Sequence, residues 1–258
     1  MSANLAAHAA AGAVFDFYGT LAPGTSVDER DEARAAVAQT LGCDPVAFAA
    51  AIRASFGERA RGRTGDPLAT MRWLAARCGV EISADDAQRA YNTRLEVERA
   101  FMRPRPEAVE VLSTLNAAGL KIGVLSDCTH ELPHCWLELP FAPFVDAAVF
   151  SVETGKRKPD PAMYAEVCAR IGAEPSDCLY VGDGGSNELT GAKAAGFRAI
   201  QLRGPEFAGA HTYDAEAGWD GEIITDLREI YPAVGLAPPP PVSRGIPRVT
   251  RQPTPPRR

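Results

Sequence analysis

The stretch "AVFDFYGTLAP", residues 13–23, ends an apolar run on a lone acid, Asp16, and turns at once through Gly19 and Thr20. A short apolar run bounded by turn residues reads as a buried strand, here Gly12 to Asp16. Two features need an explanation from the rest of the chain: the acid at the strand end, and the tyrosine two places beyond it, Tyr18.

From residue 22 to residue 103 no strand pattern appears. The segments "VDERDEARAAVAQTLG", "DPVAFAAAIRASFGERARG", "DPLATMRWLAARCG" and "SADDAQRAYNTRLEVERAFM" each carry apolar residues at helical spacing. Asp44, Asp66 and Ser83 stand as N-caps, and Gly42 and Gly79 as C-terminal stops. The block reads as a four-helix insert. After Pro104 the rhythm changes: helix "RPEAVEVLSTLNAAG" precedes strand "KIGVLS", and a looser helical stretch leads to "AAVFS". Helix "PAMYAEVCARIG" then leads to "CLYVG", and "NELTGAKAAG" to "RAIQL". Short apolar strands alternating with helices predict an α/β fold, a Rossmann-like doubly wound parallel sheet covered on both faces. The expected organisation is a core of residues 1–21 and 104–235, a helical insert of 22–103, and a tail of 236–258.

A chain of 258 residues can bury a sizeable core. Its net charge of −6 hides an asymmetry, because the segment from Ala237 onward holds five Arg and no acid, leaving the remainder near −11. An acidic body argues against a nucleic-acid binder, whose folded part carries a basic patch. The Pro-dense tail lacks apolar periodicity and reads as a disordered terminus with polyproline character, the alternative being a ligand for an SH3-type domain. Six scattered cysteines form no CxxC pair and read as reduced, packed thiols. The N-terminal residues lack a basic n-region, and no apolar run approaches the roughly 18 residues of a membrane helix. The expectation is a cytoplasmic protein with no nucleic-acid or membrane partner; oligomeric state has no signature in the sequence.

Ligands of doubly wound sheets bind at the carboxyl ends of the strands. Those ends carry Asp16 after "AVF", Ser126-Asp127 after "IGVL", Lys158 in "GKRKPDP" after "AAVFS", and Asp183 after "CLYV". Each alone has a plain reading: a turn-forming acid, an N-cap serine, a solvated lysine. Their joint order brings a carboxylate, a hydroxyl, an ammonium and a second carboxylate toward one sheet edge.

On these four segments, "DFYGTL", "VLSD", "KPDP" and "GDGGSNE", the chain resembles the haloacid dehalogenase-like hydrolase superfamily across residues 12 to 230. The resemblance implies that the helical insert is a mobile cap and that Asp16 is the nucleophile of a covalent aspartyl mechanism. It implies Mg²⁺ held by Asp16, the backbone carbonyl of Tyr18 and Asp183, with Glu188 where relatives carry Asp. Lys158 would neutralise Asp16 and the transferring group, Ser126 and Asp127 would meet the substrate, and Thr20 would orient Asp16 or serve structure alone. Arg59 and Arg61, in the run "GERARGRTGD", are candidates to grip an anionic substrate, with Arg63 beside them; the alternative is a solvated loop.

Tyr18 departs from the family's phosphatases, which carry Asp there to protonate the leaving oxygen. A phenol with a pKa near 10 is a poor base at neutral pH. Dehalogenases of the family have a similar Asp-x-Tyr motif, and their halide leaving group needs no proton. Against this, the bare carboxylate of Asp183 beside the nucleophile suits a metal site. The reading favours a Mg²⁺-dependent phosphatase of a small phosphorylated metabolite. The alternatives are a 2-haloacid dehalogenase-type hydrolase and a catalytically weakened binding protein. His130 and Glu131 are candidate replacement proton donors; His134 and Trp136 read as packing residues.

Overall fold

The computed structural model describes residues 10–209, 215–216 and 218–237. The amino-terminal residues 1–9 and all of the expected tail beyond Ala237 lie outside the described residues.

Five strands stand where the sequence places them: β1 (Gly12–Phe15), β2 (Lys121–Ser126), β3 (Ala147–Phe150), β4 (Cys178–Gly182) and β5 (Arg198–Leu202). A sixth, β6 (Glu222–Ile224), pairs with β5 at the sheet edge. Three residues are too few to display an alternation, and the sequence reading has no strand there. All pairs are parallel, in the order β3-β2-β1-β4-β5-β6. The chain therefore moves outward from β1 through β2 and β3, then returns to lay β4 on the other side of β1. That reversal opens a crevice at the carboxyl ends of β1 and β4.

Between β1 and β2 come α1 (Val27–Leu41), α2 (Pro45–Ala54), α3 (Phe56–Arg59), α4 (Pro67–Arg77), α5 (Ala84–Phe101) and α6 (Ala108–Ala117). They are followed by α7 (Glu131–Cys135), α8 (Ser151–Thr154), α9 (Pro161–Ile171) and α10 (Glu188–Ala194). The caps are those expected: Asp44, Asp66 and Ser83 accept from the backbone N–H groups of Ala47, Ala69 and Asp86. Each satisfies one of the donors left open at a helix start. The second expected helix is broken at Ser55, whose hydroxyl donates back to the Ala51 carbonyl at 2.6 Å and accepts from Arg59 Nε at 3.0 Å. A side chain competing for helix carbonyls explains the stop and the single-turn α3 beyond it.

The alternation of the strands sorts the core. Ala13, Phe15, Ile122, Val124, Leu179 and Val181 face α6 and the turn of 227–234, in one apolar cluster with the insert's Phe48, Ile52 and Leu74. Val14, Leu125, Tyr180 and Ala199 face α9 and α10 on the opposite side. The packing there is close enough that a Cβ on Gly123 would lie 2.7 Å from Val167 Cγ2. Among the described residues no single helix is long and apolar enough to cross a membrane. All six cysteines are free thiols.

The insert is also tied to the sheet's loops by charge. Arg94 of α5 donates from Nε to Glu131 of α7 at 2.5 Å and pairs through Nη2 with Glu98 at 3.1 Å, all three side chains being buried. Burial pushes the Glu131 carboxyl up, but Arg94 and the Thr129 hydroxyl more than offset this and hold it at about 2. A carboxyl depressed in the folded state stabilises above its unfolded pKa, and that contribution disappears as pH falls through the folded value. Glu131→Gln should therefore cost about 3 kcal/mol at pH 7, with the difference from wild type closing between about pH 4.5 and pH 2. Denaturant melts across that range measure it; a difference that does not change with pH would contradict the pairing.

Candidate active site

Asp16 follows β1 directly, and its backbone N–H continues the sheet by donating to the Val181 carbonyl at 2.9 Å. Its carboxylate is buried, at 5 % exposure. Lys158, from the loop between β3 and α9, donates from Nζ to Asp16 Oδ1 at 2.5 Å. The same ammonium reaches Glu188 Oε2 at 2.5 Å and the Leu125 carbonyl at 3.3 Å. Asp183 follows β4, the neighbour of β1, and accepts from the Gly185 N–H at 2.9 Å. Asp16, Asp183 and Glu188 each bring one oxygen within 4.8 Å of the others. Three buried carboxylates thus crowd together, two of them, Asp16 and Glu188, paired with one ammonium.

Electrostatics follow from that imbalance. Burial drives the Asp16 carboxyl upward, Glu188 and then Asp183 adding to it while Lys158 opposes. For Lys158 burial acts downward, but Asp16 and Glu188 prevail and hold the ammonium well above the ordinary lysine range. The lysine is therefore a permanent cation.

The sequence places the remaining candidates with mixed outcomes. Ser126 is buried at the end of β2 with its hydroxyl lacking any hydrogen-bond partner. Thr20 donates to Asp16 Oδ2 over a long 3.4 Å. Gly19 has φ +87°, and a Cβ there would lie 2.2 Å from Asp183 Oδ2, so the turn after Asp16 requires glycine. Asp127 accepts from Arg157 Nε and from the Lys158 backbone N–H, each at 3.0 Å, and so fixes the lysine's loop. Glu188 engages protein donors at both oxygens, from Gly184 N–H at 3.0 Å and from the Tyr180 hydroxyl at 2.7 Å besides Lys158.

A cavity opens above these groups, with room of about 90 Å³ for the centres of water molecules. Its floor includes Asp16, Asp127, Lys158, Asp183 and Glu188, and its far wall includes Arg30, Arg34, Arg59, Arg94 and Glu98 from the helical insert. Arg59 therefore faces the same space as Asp16. Arg61 does not line it; its Nη1 donates to the Gly57 carbonyl at 3.0 Å, and Arg63 pairs with Glu58 on the surface. His130 sits against the Gly65 carbonyl at 2.9 Å, and Glu131, held ionised by Arg94, has no proton to give. Trp136 packs edge-on against Phe17, Phe141 and Phe150, and His134 against Tyr91. Tyr18 lines the cavity, half-buried beneath Arg30, whose guanidinium lies 5.5 Å from the ring centre. Burial and then Glu98 push its phenol well above the ordinary tyrosine range, so it stays protonated.

Five participants carried no sequence signal. Tyr180 reads as a strand residue and Arg157 as a loop charge, yet they hold Glu188 and link Asp127 to Ser186. Arg105 donates to the carbonyls of Thr20 at 2.7 Å and Gly19 at 2.8 Å, bracing the turn after Asp16 from 85 residues away. Arg94 and Glu98 lie at ordinary helical positions. Only contacts brought by the fold single these residues out.

Comparison with known proteins agrees with this geometry. Residues 11–196 match the family model of haloacid dehalogenase-like hydrolases. Among curated relatives, a glyceraldehyde 3-phosphate phosphatase of Methanopyrus kandleri is 30% identical over 40% of this chain and 45% of its own length. A phosphoserine phosphatase of Thermus thermophilus is 30% identical over 55% of this chain and 57% of its own. The chain thus spans about half the length of the curated relatives it matches. In three dimensions a 2-haloacid dehalogenase from Pseudomonas syringae superposes with a TM-score of 0.60 at 23% identity, covering 86% of this chain and 97% of that one. A family model that covers most of the folded chain, on a sheet ending in the expected carboxylates and lysine, settles the membership: this chain belongs to the haloacid dehalogenase-like hydrolases.

Proposed function

We propose that the protein is a Mg²⁺-dependent phosphatase acting on a small phosphorylated metabolite, with Asp16 as nucleophile. The observation that carries this reading is Asp183 beside Asp16 in a buried cluster of three carboxylates and one ammonium. A phosphate dianion entering such a floor meets net negative charge, and the donors are the hard oxygens that suit Mg²⁺. Asp16, Asp183 and the Tyr18 carbonyl would hold the ion, with Glu188 contributing to the same charge cluster while it positions Lys158. When bound, the ion supplies the positive charge that lets phosphate approach the carboxylates.

The chain's own residues do the rest. An Asp16 oxygen attacks phosphorus as the ester oxygen departs with the bonding electrons, giving an aspartyl-phosphate. Water then attacks phosphorus, releasing inorganic phosphate and restoring Asp16. Lys158 neutralises charge on Asp16 and the phosphoryl oxygens, and the unpartnered Ser126 hydroxyl donates to one of them. Residues 22–103 serve as a cap that closes the cavity from above, with 1–21 and 104–235 as the catalytic core. Relatives named as phosphatases of small phosphorylated compounds support the reaction class, and six free thiols suit a reducing, cytoplasmic setting.

Tyr18 favours one competing reading. A protonated phenol in place of a catalytic acid suits a halide leaving group, as in a metal-independent 2-haloacid dehalogenase. A phosphate-release screen over small esters, run with Mg²⁺ and with excess EDTA, separates the two. Turnover should require Mg²⁺ and fall at least about 1000-fold in Asp16→Asn. Activity undiminished by EDTA, or chloride released from 2-chloropropionate without metal, would overturn the phosphatase reading. With alkyl phosphates, Tyr18→Asp should raise kcat by about 10- to 100-fold, since the missing general acid is restored; steady-state rates at pH 6–8 check this.

A further inference from the structure

Asp127 fixes the backbone of Lys158, and Asp127 is in turn fixed by Arg157, the residue before the lysine. The Arg157 side chain is 8 % exposed, and its Nε donates to Asp127 Oδ2 and its Nη2 to Ser186 Oγ, each at 3.0 Å. These acceptors stand on the loops after β2 and after β4, while Arg157 stands on the loop between β3 and α9. One side chain thus joins three of the loops that build the floor. Its face is turned to the insert: the ring of Phe56, in α3, has its centre 4.9 Å from the guanidinium carbon. The next residue of α3 comes as near, since a Cβ on Gly57 would lie 3.5 Å from Arg157 Nη1. A planar guanidinium serves both sides at once, with hydrogen bonds leaving its edge and an aromatic ring lying on its face. The loop after β4 depends on such a tie. Ser186 and Asn187 have φ of +58° and +51°, in the left-handed region that favours glycine. Backbone of this kind persists where its surroundings determine it, and the Arg157–Ser186 bond is one such restraint.

We propose that Arg157 is a positioning residue for the reaction at Asp16, holding the Lys158 and Ser186 loops in register, and that Phe56 of the insert keeps it in place. This deepens the phosphatase reading and rests on Asp16 as its nucleophile. Arg157 itself touches no reacting atom. Its effect passes through Asp127, which accepts the Lys158 backbone N–H at 3.0 Å, and through Ser186, three residues after Asp183. Asp127 is only as well placed as its partner, because a buried carboxylate without its cation must move or take up a proton. The ring of Phe56 closes the one face of the guanidinium described here that hydrogen bonds leave unsupported. A residue of the insert thereby bears on the aim of the lysine without lying next to it.

Two measurements test this. The first is steady-state hydrolysis of 4-nitrophenyl phosphate, whose leaving group departs without a proton, at saturating Mg²⁺. Arg157→Lys keeps a cation beside Asp127 but loses the fork and the planar face. Its kcat should fall about 10- to 100-fold, the cost of a misplaced catalytic group, with KM within about threefold of wild type. Phe56→Leu should lower kcat about 2- to 5-fold, and that loss should vanish in the Arg157→Lys background, because one residue acts through the other. The second needs no turnover: amide hydrogen exchange followed residue by residue in Phe56→Leu, a half-buried position. The Lys158 amide should exchange at least about threefold faster than in wild type, while the amides of β1 and β4 keep their wild-type rates. An unchanged kcat in folded Arg157→Lys, an equal loss from Phe56→Leu in both backgrounds, or wild-type exchange of the Lys158 amide would overturn the inference. Where Arg157→Lys does not fold, the exchange measurement on Phe56→Leu decides alone. If wild type releases no phosphate from any ester but Phe56→Leu still loosens the Lys158 amide, the tie stands and the phosphatase reading falls.

Discussion

A single ammonium holds the site together. Lys158 lies between two buried carboxylates, Asp16 and Glu188. Without that cation, burial of both acids together with Asp183 would be prohibitive, since a buried charge must be paired or neutralised. Much of the surrounding structure exists to keep the lysine there. Asp127 fixes its backbone N–H, Arg157 ties Asp127 to Ser186, and the Tyr180 hydroxyl shares Glu188 with it. The parallel sheet supplies the geometry, because β1 and β4 are adjacent and their ends deliver Asp16 and Asp183 side by side. The lysine meets them from the loop beyond β3, on the other side of β1 and β2.

How much of this the sequence reveals depends on the range over which each residue acts. Strands were legible because each is a short apolar run ended by a polar residue, and helix starts because Asp44, Asp66 and Ser83 act on donors three residues away. The strand-end residues Asp16, Ser126, Lys158 and Asp183 were legible as a set, since the order of chemistry along the chain is itself a pattern. Residues whose partners lie far away in sequence were not. Arg105 is an unremarkable charge after a proline until the fold brings it to Gly19 and Thr20. Arg94 and Glu131, 37 residues apart, give no local hint of each other. The run containing Arg59, Arg61 and Arg63 shows the limit plainly. Three similar arginines point to a cavity wall, a backbone carbonyl and a surface glutamate, and only the path of α3 separates them.

Two parts of the chain build the cavity. The floor is made by loops at the ends of a sheet whose side chains are locked by packing on both faces. The wall opposite is made by helices of the insert, where Arg59 is held by the Ser55 hydroxyl and the Ile52 carbonyl, and Arg94 by Glu98 and Glu131. Tyr18 stands at the seam between the two, with its backbone in the turn after Asp16 and its ring under Arg30 of α1.

That seam is also where the chain leaves the sheet and comes back. The outgoing strand passes through Leu21 and the returning one through Arg105, and Arg105 N–H donates to the Leu21 carbonyl at 2.9 Å. With the guanidinium on Gly19 and Thr20 and held by Glu206, the two necks of the insert are riveted at their root. Mechanically this makes a gimbal with a fixed base. Any displacement of the helices relative to the sheet would have to be taken up in the segments beyond the rivet, 22–26 and 102–104, with Arg105 between them and Asp16. The position of Asp16 is thereby fixed by the sheet and Arg105 and does not depend on the helices above it.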